Sequence, residues 1–278
     1  MGSWRIGKLF GIGVFVHWSF LLLPVLVFGM APPESLTSAL LQMGLVLALF
    51  TCVVLHEFGH VLAARAFGIG TRDVTLYPIG GVARLERMTE KPGEEILIAL
   101  AGPAVNVAIA MLLGIFLCFG LIADQHLLQQ PTMPVQVLLW LMGMNIIMVL
   151  FNMIPAFPMD GGRVFRALLA IPLGRLQATR ISAWVTTMIA LIGGFFGSYL
   201  SPLLPIIAVF IFFMAQMELR AVEMQARQRQ AAQEPILAKP IPVPLAEGWP
   251  VFTLKPAVTV YVWDNEAGVW VKQRSGQG

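Results

Sequence analysis

Val54-Leu55-His56-Glu57-Phe58-Gly59-His60-Val61 is the stretch from which both fold and chemistry follow. Residues 45–55, just upstream, carry no charge. On a helix, His56 and His60 lie four apart and share one face, a turn from each other, where both imidazoles can bind Zn²⁺. Glu57 between them is placed to deprotonate a metal-bound water. Soluble metalloproteases carry this pattern on a water-washed helix; here it lies within an apolar span. Ionisable groups in a bilayer are costly, and such a cluster marks a functional site.

The surrounding composition agrees. The chain is 58% apolar and 12% charged with mean hydropathy +0.79, which places it among polytopic membrane proteins and excludes a soluble globule. Six spans are expected, at residues 14–30, 36–67, 96–123, 135–151, 181–200 and 202–219. The first is read as a retained span, because Pro32 spoils the weak cleavage site at Gly29-Met30-Ala31. The expected fold is therefore an all-α polytopic membrane protein of about six transmembrane helices, with a short membrane-associated β-hairpin and a small cytoplasmic C-terminal tail. Cys52 and Cys118 both lie in apolar segments, so each is expected to be a buried, inert thiol outside any disulfide framework.

Between the second and third spans, residues 75–85 read as two short strands around Pro78-Ile79-Gly80-Gly81. The division expected along the chain is a core at 1–219, a polar helical extension with a Pro-rich linker at 220–256, and a hairpin-like tail at 257–278. In that tail residues 258–271 alternate apolar and polar around a turn at 264–268. Two strands alone are marginal, so a partner chain or a homo-oligomer is expected to support the tail. No Lys or Arg falls in the loops at 31–35, 124–134 or near Ser201, although the chain has 18 of them. Arg5, Lys8, Arg163, Arg166, Arg175, Arg180, Arg220, Arg227 and Arg229 all sit on the opposite side, so both termini are expected in the cytoplasm. The arginines from 163 to 180 are read as an orientation signal first and an anionic-lipid contact second. A net charge of +3 gives no support to a nucleic-acid partner. His126, in an external loop, is expected to be solvated.

Two histidines leave a catalytic zinc one protein ligand short, since such sites take three and keep one position open. Asp160 is the candidate third. It sits in Asn152-Met153-Ile154-Pro155-Ala156-Phe157-Pro158-Met159-Asp160-Gly161-Gly162-Arg163. The prolines stop the preceding helix and the glycines permit a sharp turn, so Asp160 is expected on irregular backbone facing a cavity. His56 lies about ten residues from the end of its span, which at ~1.5 Å per residue puts the site roughly 15 Å below the cytoplasmic face.

Taken together these pieces resemble the site-2 protease family of intramembrane zinc metalloproteases, peptidase family M50. The matching segments are residues 56–60, Gly102-Pro103-Ala104-Val105-Asn106, residues 152–162, the opening Gly13 to Trp18, and Pro78-Ile79-Gly80-Gly81, covering residues 11–219. The resemblance implies one zinc per chain held by His56, His60 and Asp160, with Glu57 as general base. It implies that Asn152 and Asn106 line the substrate site, and that residues 75–85 receive an unwound substrate segment as an added strand. The substrate implied is a single-span membrane protein, such as a membrane-tethered regulator, cut in regulated intramembrane proteolysis. No PDZ insertion or CBS module is recognisable. A six-span layout without sorting domains fits a bacterial plasma membrane.

The alternative is a non-catalytic binding or chaperone protein on the same fold, against which the intact Glu57 argues. A metal transporter would need a continuous polar path. Ser182, Thr186, Thr187, Ser198 and Gln216 in the last two spans make a poor one.

Overall fold

β-Branched residues alternate through Ile12-Gly13-Val14-Phe15-Val16-His17, and this segment forms a strand, not the start of a helix. In a computed structural model describing residues 2–78, 80–87, 89, 91–123, 132–233, 260–264 and 269–273, it is the second strand of a four-stranded sheet. The order along the chain is β1 (Ser3–Leu9), β2 (Ile12–His17), a 3₁₀ turn (Trp18–Leu21), α1 (Leu22–Met30), α2 (Leu36–Ala66), β3 (Thr71–Tyr77), β4 (Gly80–Leu85), α3 (Pro92–Ala123), α4 (Met133–Asn152), α5 (Asp160–Leu173), α6 (Arg175–Gly197) and α7 (Leu203–Gln233). A separate unit, Glu234–Gly278, contains β5 (Val260–Asp264) paired antiparallel with β6 (Val269–Gln273). The expected linker, the turn after Asp264, the loop from Asp124 and His126 lie outside the described residues.

Five helices among the described residues are long and apolar enough to cross a membrane: α2, α3, α4, α6 and α7. Their outward faces are apolar and exposed, for example Leu112, Phe116 and Phe119 of α3 and Phe195 and Phe196 of α6, as lipid contact requires. The protein is an integral multi-pass membrane protein. The first expected span is shorter than the sequence reading had it. Its helical part is Trp18–Met30, since β2 takes the residues before it. α7 carries the polar extension as one unbroken helix of 31 residues. Cys118, expected to be buried, is exposed on α3, while Cys52 is buried.

The sheet has the order β1-β2-β3-β4, antiparallel except for the parallel pairing of β2 with β3. The expected hairpin is thus the far half of a larger sheet, with β4 at its edge. Ile12 and Val14 of β2 and Val74 of β3 pack with Phe58 and Val61 of α2 in one buried cluster. The sheet is therefore seated on the turn of α2 that carries both histidines.

α2 and α3 cross closely because Gly59 meets Gly102's neighbourhood. A Cβ at Gly59 would lie 2.6 Å from the carbonyl oxygen of Ala101. Gly174, at φ 77, separates α5 from α6 in a conformation that L side chains rarely adopt.

Candidate metal centre

His56 and His60 point from α2 toward the start of α5, where Asp160 stands. Asp160 Oδ2 lies 3.3 Å from His56 Nε2 and 3.2 Å from His60 Nε2, and the two Nε2 atoms are 3.2 Å apart. All three residues are buried. Zinc ligands at about 2.0–2.1 Å in a tetrahedron are spaced about 3.3 Å from one another. The triangle of donors therefore has the dimensions of one face of a zinc site. Two imidazole nitrogens and a carboxylate also match the donor chemistry of catalytic zinc.

Each imidazole is held by its other nitrogen. His60 Nδ1 is 2.7 Å from the carbonyl oxygen of Ile98, and His56 Nδ1 is 2.7 Å from Asn106 Oδ1. Both partners are oxygens that accept, so both rings carry their proton on Nδ1 and present Nε2 to the metal position. Gly102 leaves room for the rings: a Cβ there would strike His60 Nε2 and Cε1 and His56 Cε1.

Asp160 does not sit on irregular backbone, as the sequence led us to expect; it is the first residue of α5. The two glycines after it serve packing, not a turn. A Cβ at Gly161 would meet the carbonyls of Met153 and Ile154, and one at Gly162 would meet the backbone of Ala156. The helix N-terminus thereby nests against the loop from Met153. That loop is anchored to α6, where the Thr186 hydroxyl accepts the Phe157 N–H at 2.9 Å. Arg163, one turn after Asp160, approaches the second carboxylate oxygen at 3.8 Å.

Glu57 lies beside the triangle, half-buried, and β4 passes directly over it. A Cβ at Gly81 would come 2.5 Å from Glu57 Cγ, so the backbone of β4 lies against the stem of the Glu57 side chain. Asn152 ends α4, half-buried, at the head of the loop to Asp160.

Asn106, expected to line the substrate site, stands against the imidazole of His56. It is wholly buried behind His56, with its Nδ2 bonded to Asn145 Oδ1 at 2.9 Å. Arg166 is not a surface orientation charge. It is wholly buried, ion-paired with Glu95 of α3 and Glu218 of α7, with its guanidinium 5.3 Å over the Phe157 ring. A count of basic residues per loop does not see pairing. Asn145 was missed altogether, although an amide in the middle of an apolar span is itself a signal.

The family model of peptidase family M50 matches residues 44–134 and 121–196. A zinc metalloprotease of Methanocaldococcus jannaschii is 34% identical over 224 residues, which is 80% of this chain and 62% of the relative. A candidate zinc metalloprotease of Synechocystis is 36% identical over 173 residues, 59% of this chain and 43% of that protein. The chain thus spans less than two thirds of either relative. Among solved structures, a site-2 protease from Methanocaldococcus jannaschii superposes with TM-score 0.57 at 34% identity, covering 78% of this chain and 95% of that one.

Proposed function

The chain belongs to peptidase family M50, and we propose that it is a zinc endopeptidase that hydrolyses a peptide bond within or near a membrane-spanning segment of another membrane protein. The observation that carries this reading is the buried triangle of His56, His60 and Asp160 with Glu57 alongside, its two histidines on a helix long and apolar enough to cross a membrane. In this reading the three residues hold zinc, the cofactor to which both the donor set and the named relatives point. When bound, the metal acidifies water and polarises a carbonyl. Glu57 takes the proton of the attacking water and delivers it to the leaving amine. Asn152, at the mouth of the Asp160 loop, is assigned to hold the substrate carbonyl.

A transmembrane helix hides its carbonyls, so the substrate must enter extended. β4 is the edge of the sheet and overlies Glu57, which supports pairing of the unwound segment with its free side. The substrate class is a single-span membrane protein, such as a membrane-tethered regulator. The distribution of Lys and Arg supports cytoplasmic termini, and the compact multi-span layout fits a bacterial plasma membrane. Residues 1–219 are assigned to the catalytic core, residues 220–256 to an extension and linker, and residues 257–278 to a tail that engages a regulatory partner or another copy.

The test is Glu57→Gln in reconstituted vesicles with a single-span reporter. Zinc should remain at about one per chain while cleavage is lost. Cleavage that survives would remove Glu57 as the base. Wild type that binds zinc and cleaves nothing from a panel of spans would favour the non-catalytic binding protein.

A further inference from the structure

Behind His56, on the side away from the metal position, a line of buried amides crosses three helices. His56 Nδ1 meets Asn106 Oδ1 on α3 at 2.7 Å. Asn106 Nδ2 donates to Asn145 Oδ1 on α4 at 2.9 Å. Asn145 Nδ2 donates in turn to the carbonyl oxygen of Leu141 at 2.8 Å and approaches Cys52 Sγ on α2 at 3.4 Å. Both asparagines are wholly buried.

The direction of this line is forced from its far end. The Leu141 carbonyl can only accept, so the NH₂ end of Asn145 must face it. The oxygen of Asn145 then faces Asn106, which turns the Asn106 NH₂ toward Asn145 and its oxygen toward His56. An oxygen there requires a proton on Nδ1 and leaves the Nε2 lone pair free. His60 needs no such relay, because its Nδ1 meets the backbone carbonyl of Ile98 directly. An Asn side chain, unlike a carbonyl, can turn over. Freed of Asn145, Asn106 keeps among the described residues only Met148 Sδ, at 3.4 Å, as a side-chain partner for its Nδ2.

We infer that Asn145 is a positioning residue: by fixing which way the Asn106 amide points, it holds His56 in the tautomer whose Nε2 can bind the metal. This rests on the reading of His56 as a zinc ligand. Asn145 touches neither the metal position nor substrate, and its effect is confined to one of the two histidines.

The experiment uses the full chain in detergent, as wild type, Asn145→Leu and Asn145→Asp. Two quantities are read: the zinc dissociation constant by chelator competition, and the ring ¹⁵N signals of His56 and His60 in the metal-free protein. In wild type both rings should be protonated at Nδ1. Asn145→Leu should give a tautomer mixture at His56 alone and weaken zinc roughly 10–100-fold, the usual cost of losing an outer-shell partner. Asn145→Asp is the rescue. Its neutral acid has the same shape, donates O–H to Leu141 and accepts from Asn106, so affinity and spectrum should return close to wild type. Asn145→Ala carries the same expectation as the leucine variant and replaces it should that variant not fold. Zinc bound equally by wild type and Asn145→Leu, with an unchanged His56 spectrum, would overturn the inference alone. A wild type without zinc would overturn the ligand reading beneath it as well.

Discussion

Gly102 of α3 lies flat against the imidazole of His60, so that the first carbon of any side chain there would overlap the Nε2 aimed at Asp160. A glycine on one helix is thus part of the metal site on another, although it offers no ligand. Gly102→Ala should therefore lose zinc while the helices still form. Zinc content by atomic emission beside the far-ultraviolet circular dichroism of the same sample checks this. A variant holding one zinc would mean that α3 retreats at little cost.

Asp160→Ala removes the single carboxylate that touches both histidines. Zinc should fall from about one per chain to near none. Asp160→Asn, with one oxygen left, should retain weakened binding. Equal zinc in wild type and Asp160→Ala would identify the wrong third ligand.

Gly81→Val puts a branched side chain where Glu57 now lies under β4, without touching the donor triangle. Zinc should be unchanged, and the cleavage rate should drop by about 10²-fold, the scale on which a misplaced catalytic group is felt. Loss of zinc in parallel would show that the strand and the metal site move together.

Arg166→Leu leaves Glu95 buried and uncompensated, and strips the more exposed Glu218 of the same partner. Breaking a buried pair in this way costs about 3–5 kcal/mol, and replacing both partners with apolar residues recovers much of it. The thermal midpoint in detergent should fall sharply in Arg166→Leu and recover in the Arg166→Leu, Glu95→Leu double variant. A small effect in the single variant would place water beside Glu95.

How much of this was legible in the sequence depended on the range of the physics involved. His56 and His60 could be read because helical spacing alone brings them to one face, and Glu57 because the motif sets it beside them. Asp160 could be picked out as a lone carboxylate in apolar surroundings, but its backbone was misread. Two glycines look the same in a turn and at a helix start, and only the carbonyls of Met153, Ile154 and Ala156 tell the cases apart. β2 was absorbed into a span because an alternating apolar segment next to an apolar helix has no visible edge. The partners of Arg166 stand 71 and 52 residues away, beyond any local pattern. Asn106 was recognised but its partner was not, since Asn145 reaches it only through the packing of α3 on α4.

The parallel pairing of β2 with β3 carries one more consequence. β2 braces β3, β3 braces β4, and β4 covers Glu57, so β1 and β2 are mechanically in series with the strand proposed to receive substrate. Deleting β1 would be felt as sluggish turnover with full metal occupancy, a phenotype easily mistaken for a damaged catalytic group.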